Sequence, residues 1–300
     1  MTDRTIRMLD RDLGEFVEVL FKLGLSGIQK VSQFTEKYGE GAEDIRSYDV
    51  YLIESEHMSC ILKKTTEREV LNYSRYLSKA DFSVPKYLGS YAEGEDHWIL
   101  IEYIDGSDVS HATDELVISA AEVLCGIQNY SWDNEEIDSK RFEAYYARVR
   151  KRSLFVAERP EFKAAYQLFL DRQLTAPRTL SHGDFAQFNL RERCGKAVII
   201  DWGFGGIMPY SLDIARFIAH ASEDGQPFGM YMTNRQKQLF VDTVYEKLER
   251  KPDYEQYLAD IQLAVLNEYV EFMEAQEDGD YWYEHHAIRL VKEILGTQKG

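Results

Sequence analysis

Asp184, Asn189 and Asp201 are the residues of this 300-residue chain whose types and spacing could do chemistry. All three fall in one stretch, LSHGDFAQFNLRERCGKAVIIDWGFGGIMPYSLDIARFI, from Leu180 to Ile218. A carboxylate such as Asp184 can orient a hydroxyl and take its proton as the oxygen attacks phosphorus. Asn189 and Asp201 offer hard oxygen atoms of the kind Mg²⁺ demands, and Mg²⁺ commonly takes one or two carboxylates and leaves its other positions to phosphate and water. Leu190 to Arg193 and Ala197 to Ile200 are strand-like arms about a turn at Gly195, so a hairpin would return Asn189 and Asp201 to the same end. Each residue alone is an ordinary turn-former or cap. Their combination at these spacings points to phosphoryl transfer.

The pattern H-G-D-x-x-x-x-N followed by I-D-W, from His182 to Trp202, resembles the aminoglycoside phosphotransferase and choline kinase family, which has the protein-kinase-like fold. The resemblance continues into Asp213-Ile214-Ala215, similar to that family's D-L-A helix start, and it covers the rest of the chain in outline. It implies an α+β, bilobal architecture, with an antiparallel sheet and a helix in the small lobe and a mainly helical large lobe. It also implies Asp184 as the catalytic base, Asn189 and Asp201 as Mg²⁺ ligands, His182 as support of the loop, and Asp213 as its structural brace. The implied phosphoryl donor is ATP or GTP. One departure is Gln128, which stands where the family commonly ends a helix in leucine-histidine.

A kinase also needs a lysine on a small-lobe strand for the α- and β-phosphates, and a helix carboxylate to hold that lysine. Cys60-Ile61-Leu62-Lys63 resembles the family's strand ending in lysine, with Lys64 as competitor because adjacent strand residues face opposite sides. Glu69 is the favoured partner and Glu67 the alternative, although Thr66-Glu67-Arg68-Glu69 also has the form of a capping box. Ile99 to Ile104 resembles the strand leading into the interlobe hinge, where backbone groups near Glu102 and Ile104 would meet adenine. No G-x-G-x-x-G is present, and Gly39-Glu40-Gly41 is the candidate for a phosphate-covering turn. H-R-D, D-F-G and A-P-E are also absent, which argues against a protein kinase.

These residues need elements to position them. Leu13, Phe16, Val17, Leu20 and Phe21 recur at helical spacing, so a leading helix is expected from Thr5 to Leu25. Val31 to Phe34, Tyr48 to Glu54 and Met58 to Lys63 read as strands of a meander; a helix from Thr66 to Ser78 and strands at Tyr87 to Tyr91 and Trp98 to Tyr103 follow. Asp105-Gly106-Ser107 reads as a linker. The expected division is therefore 1–104 as a nucleotide-binding lobe with its leading helix, and 105–300 as a helical lobe with the catalytic loop and acceptor site.

Bulk properties narrow the partners. With 52 acidic and 35 basic residues the formal charge is -17, which repels phosphate backbones and anionic lipid. No basic run is interleaved with aromatics, so nucleic acid is not an expected partner. No run of eighteen apolar residues and no secretory leader is visible, so a membrane is not expected either. Cys60, Cys125 and Cys194 are odd in number and widely separated, which suits a reducing cytoplasm rather than a disulfide or zinc framework. Oligomeric state leaves no residue-level signal.

From Asp253 to Glu284 there are ten Asp or Glu residues and no Lys or Arg, interleaved with Tyr254, Tyr257, Tyr269, Phe272, Tyr281, Trp282 and Tyr283. Such a wall would suit a small cationic acceptor of the phosphoryl group, through charge complementarity and cation–π contact. An aminoglycoside-type antibiotic ranks first, choline or ethanolamine second, and a sugar or homoserine-type metabolite third. The competing reading puts these acids on solvated helix faces, with Ile261, Val265, Tyr269 and Phe272 as the core stripe. A reading of another class, a catalytically silent nucleotide-binding scaffold, is disfavoured because Lys63, Asp184, Asn189 and Asp201 all carry competent side chains.

Overall fold

Strand alternation governs the first part of the chain, where β-branched and aromatic residues alternate with polar ones. In the computed structural model, which describes residues 5–38, 44–133, 139–275 and 281–297, six strands form one antiparallel sheet. They are β1 (Thr5–Asp10), β2 (Ile28–Tyr38), β3 (Asp44–Ser55), β4 (Ser59–Thr65), β5 (Tyr87–Glu93) and β6 (Asp96–Glu102), in the order β1-β2-β3-β4-β6-β5. The glycine turn Gly39-Glu40-Gly41 lies outside the described residues.

The strand β1 corrects the expected leading helix. Residues Thr5 to Asp10 pair with β2 from Thr5↔Lys37 to Asp10↔Ser32. Helix begins only at Leu13, after Asp12 accepts the Gly14 N–H at 3.0 Å, and runs through a 3₁₀ turn (Leu13–Phe16) into α1 (Val17–Lys22). The helical period is confined to Leu13–Phe21, and the residues before it satisfy their backbone groups on a sheet edge instead. Phe16, Val19 and Leu20 pack on Val31, Tyr51, Ile53, Cys60, Leu62 and Leu100, which is the core of this unit. Cys60 and Leu62 face that core, so Ile61 and Lys63 turn to the other face of β4. A short helix, α2 (Glu67–Leu71), follows and continues through a π-helical turn and a 3₁₀ turn to Lys79.

The chain divides into two compact units, Met1–Asp105 and Gly106–Gly300. The second is mainly helical: α3 (Asp114–Ser131), α4 (Ser139–Arg152), α5 (Pro160–Thr175), α6 (Ser211–Ala219), α7 (Asn234–Lys247), α8 (Tyr254–Ala275) and α9 (Trp282–Thr297). Its strands are β7 (Ser107–Asp108), β8 (Arg178–Ser181), β9 (Leu190–Arg193), β10 (Lys196–Ile199) and β11 (Gly206–Pro209), arranged as β10-β9-β7 and β11-β8. Gln128, the departure noted above, is fully buried and donates its amide to the Tyr210 carbonyl at 2.8 Å, which ties α3 to the start of α6. Among the described residues no helix is long and apolar enough to cross a membrane.

Leu62 is completely buried at the centre of the first unit's core. Leu62→Ala should lower the stability of that unit by about 2–5 kcal/mol, the usual result of deleting a core leucine. Urea unfolding followed by far-ultraviolet circular dichroism checks this, and an unchanged midpoint would mean that this core does not hold the sheet.

Candidate active site

The loop from His182 to Asn189 hangs between two anchors. Pairing of β8 with β11, from Arg178↔Pro209 to Ser181↔Gly206, brings His182 beside the first turn of α6. There the buried Asp213 accepts the His182 N–H at 2.6 Å on Oδ2 and the Gly183 N–H at 3.0 Å on Oδ1. Burial pushes the Asp213 carboxyl up, while His182 and those backbone bonds oppose the rise. The second anchor is Phe185, fully buried, with its ring 5.0 Å from Phe217 on α6 and 6.3 Å from Phe240 on α7.

His182 is also fully buried and bonds with both ring nitrogens. Its Nε2–H donates to the Ile200 carbonyl at 2.8 Å, and Nδ1 accepts the Asp184 N–H at 3.2 Å, so the ring links the loop to the end of β10 in a single tautomer. Gly183 sits at φ +78°, and a Cβ there would lie 2.5 Å from the Phe204 carbonyl oxygen. Only glycine meets both conditions.

The hairpin of β9 and β10 forms as expected. Cys194 and Gly195 both have positive φ, 54° and 75°, the two-residue turn whose twist matches that of the strands. Leu190 pairs with Ile199, and Ile200 N–H donates to the Asn189 carbonyl at 2.9 Å, so Asn189 and Asp201 come to the same end. Asn189 donates its Nδ2 to the Asp184 carbonyl at 2.8 Å and to Asp184 Oδ2 at 3.1 Å. Its Oδ1 accepts no hydrogen bond among the described residues. Asp201 is exposed and left-handed, with φ 63° and ψ 68°. An amide oxygen and an exposed carboxylate at one hairpin end form a donor set that suits Mg²⁺.

Sequence reasoning missed Arg216. Its Nε and Nη2 donate to Asp184 Oδ1 at 2.9 and 2.7 Å, and its Nη1 donates to Glu268 of α8 at 2.8 Å. The signal was present, because Arg216 follows Asp213 by three positions and so shares its helix face toward the loop. Burial alone would disfavour the charged guanidinium, but Glu268 and Asp184 outweigh it and hold Arg216 above its ordinary range. Burial would likewise raise the Glu268 carboxyl, but Arg216 and His220 hold it below.

Beside Asp184 the second unit has a cavity of about 230 Å³, whose lining includes Arg141, Arg148, Arg216, Phe204, Glu268 and Glu271. Of the described acidic and aromatic residues between Asp253 and Glu284, only Glu268 and Glu271 reach it. Tyr257, Tyr269, Phe272 and Tyr283 are buried, and Asp260 is engaged by Arg172 at 2.6 Å.

In the first unit Lys63 Nζ meets both Glu69 oxygens, at 3.0 and 2.9 Å, and Glu69 is fully buried. Lys64 points the other way, to Asp96 at 2.8 Å. Glu67 is exposed. Thr66 accepts the Glu69 N–H at 3.5 Å, but the Glu69 carboxylate goes to Lys63 and the Thr65 hydroxyl, so only half of a capping box forms. Glu102 donates its N–H to the Lys86 carbonyl at 2.9 Å and accepts the Lys86 N–H at 3.2 Å, and Ile104 is buried.

A strand lysine paired with a helix carboxylate, and an Asp–Asn loop braced by a helix aspartate, define the protein-kinase-like class. Known structures share this fold. An aminoglycoside-3'-phosphotransferase of type VIII superposes with a TM-score of 0.57 at 13% identity, over 85% of this chain and 98% of that one. Choline kinase from Cryptosporidium parvum Iowa II gives 0.56 at 12%, over 96% of each. A thermostable aminoglycoside phosphotransferase mutant, in ternary complex with ADP and hygromycin B, gives 0.58 at 12%, over 92% and 97%. No curated protein sequence matches the chain. The model of the phosphotransferase enzyme family matches residues 43–249, and the chain belongs to that family. It is a phosphotransferase with an alcohol group as acceptor.

Gly183→Ala tests the loop geometry. A non-glycine residue in left-handed conformation costs about 1–2 kcal/mol before any clash, and the added Cβ must also displace the Phe204 carbonyl. The variant should unfold at lower urea with its activity reduced, whereas wild-type stability would show that the loop is not held as described.

Proposed function

We propose that this chain is a Mg²⁺-dependent small-molecule kinase that moves the γ-phosphoryl group of ATP or GTP to a hydroxyl of a small cationic acceptor, an aminoglycoside-type antibiotic ranking first. The observation that carries the reading is the geometry of Asn189, which spends its side-chain Nδ2 on Asp184 and leaves its side-chain oxygen Oδ1 for a cation. Asn189 and Asp201 would hold Mg²⁺, which when bound neutralises charge on the triphosphate. Asp184 takes the proton of the acceptor hydroxyl. His182 and Asp213 hold the loop, Lys63 with Glu69 holds the α- and β-phosphates, and backbone groups near Glu102 and Ile104 meet adenine. On this reading residues 1–104 bind nucleotide, and 105–300 carry the catalytic loop and acceptor site.

Glu268 and Glu271 in the cavity lining, although each also meets an arginine, support a cationic acceptor, which would make the enzyme an antibiotic-resistance determinant if that acceptor is an aminoglycoside. Choline and ethanolamine carry the same charge. Arg141 and Arg148 in the same lining favour a second reading, an acceptor that also bears an anionic group, as a homoserine-type metabolite does. The exposed free thiol of Cys194 supports a cytoplasmic location.

The test is consumption of ATP and GTP with Mg²⁺ across aminoglycosides, macrolides, choline, ethanolamine, homoserine and simple sugars. One class should give acceptor-dependent turnover, and Asp184→Ala should lose about 10²–10⁴-fold of it, the worth of a general base. No turnover and no nucleotide-induced shift in melting temperature would sink the kinase reading.

A further inference from the structure

The two oxygens of Asp184 are not equivalent. Oδ1 accepts both Nε and Nη2 of Arg216, at 2.9 and 2.7 Å. Among the described residues Oδ2 accepts only the Asn189 amide, at 3.1 Å. A carboxylate oxygen offers about two lone-pair sites, so Oδ1 is filled and Oδ2 has one left. Arg216 is itself fixed from behind. Its Nη1 donates to Glu268 Oε2 at 2.8 Å and lies 2.9 Å from His220 Nε2. His220 Nε2 is 2.9 Å from the same Glu268 oxygen, and its Nδ1 is 2.7 Å from the Tyr283 hydroxyl. His220 and Tyr283 are buried, so the chain of contacts runs from the catalytic loop through α6 to α8 and α9 inside the second unit.

We propose that Arg216 is a positioning residue that gives the two oxygens of Asp184 separate tasks: Oδ1 is held by the guanidinium fork, and Oδ2 is presented to the acceptor as the proton-accepting atom. The inference rests on the kinase reading and deepens it. In the step so described, the acceptor oxygen forms a bond to the γ-phosphorus. The bond from that phosphorus to the β,γ-bridging oxygen breaks, and the nucleoside diphosphate leaves with the electron pair. The hydroxyl proton passes to Asp184 Oδ2. Arg216 touches none of the reacting atoms. It sets which oxygen faces them, and Glu268 with His220 sets the plane of its guanidinium. Lysine could keep the charge but not the two-pronged hold on one oxygen.

The experiment compares Arg216→Met, Arg216→Lys and Glu268→Gln with wild type, well below their melting temperatures. The acceptor is the compound of the panel above that wild type phosphorylates fastest, or water, read as Mg-ATP hydrolysis, if none is phosphorylated. Arg216→Met should lower kcat by about 10²-fold, as a misplaced reacting group does. KM for ATP should stay within about twofold, because ground-state binding is untouched. Arg216→Lys should fall nearly as far, Glu268→Gln less, and added guanidinium ion should restore part of the Arg216→Met loss. In an Asp184→Ala background Arg216→Met should cost nothing further, since both changes remove one unit.

A further drop of the same factor in that background would overturn the proposal, as would variants that lose melting temperature while keeping wild-type kcat. If Arg216→Met does not fold, Arg216→Lys and Glu268→Gln decide alone, and wild-type kcat in both overturns it. A wild type that turns over neither a panel compound nor ATP overturns the kinase reading itself, and this inference with it.

Discussion

Two backbone N–H groups, those of His182 and Gly183, point at one buried carboxylate, Asp213, and the candidate site is built outward from that contact. A buried N–H left without a partner costs about 1–3 kcal/mol, and an unpaired buried carboxylate costs more. Satisfying all three groups together fixes the loop at its first two residues. From there the chain has little freedom. Gly183 is pressed against Phe204, His182 is locked to Ile200, and Phe185 is sealed between α6 and α7. Asp184 is thus held from both sides of its own backbone before any ligand is involved.

Charge in the second unit follows the same economy. Although the whole chain carries -17, three arginines of this unit each meet carboxylates: Arg216 meets Asp184 and Glu268, Arg152 meets Glu271 and Glu274, and Arg172 meets Asp260. Breaking a buried pair strands the remaining charge, at about 3–5 kcal/mol. Four of these five pairs involve α8, so the helix that lends Glu268 and Glu271 to the cavity is also firmly tied by ion pairs. Four carboxylates of the acidic run that suggested an acceptor wall are therefore the counter-charge to these arginines, and Tyr257, Tyr269, Phe272 and Tyr283 of the same run belong to the core.

How much of this was legible in the sequence depended on whether the information was local. The hairpin was legible because its turn and its two arms lie within a few residues, and so was the convergence of Asn189 and Asp201. Lys63 and Lys64 could be told apart only as opposite faces; which face meets Glu69 is set by the packing of Cys60 and Leu62 on α1, a long-range fact. The strand at Thr5–Asp10 was missed for a related reason, since its partner β2 lies beyond the intervening helix and no local pattern announces the pairing. Arg216 was overlooked despite a readable signal, its spacing from Asp213. What the sequence could not have shown is Glu268 and Tyr283 closing around Arg216 and its helix neighbour His220, because three separate helices meet there.

Asn189 and Asp201, at one hairpin end, are proposed to hold a divalent cation with its nucleotide beside a fixed Asp184. Electron paramagnetic resonance of Mn²⁺ with a non-hydrolysable ATP analogue tests it without an acceptor. Wild type and Asp184→Ala should bind Mn²⁺ in a nucleotide-dependent way, with binding weakened at least about tenfold in Asp201→Ala, the lower end of what even outer-shell partners of a metal are worth. Undiminished binding in Asp201→Ala would rule out the metal-holding role of that carboxylate.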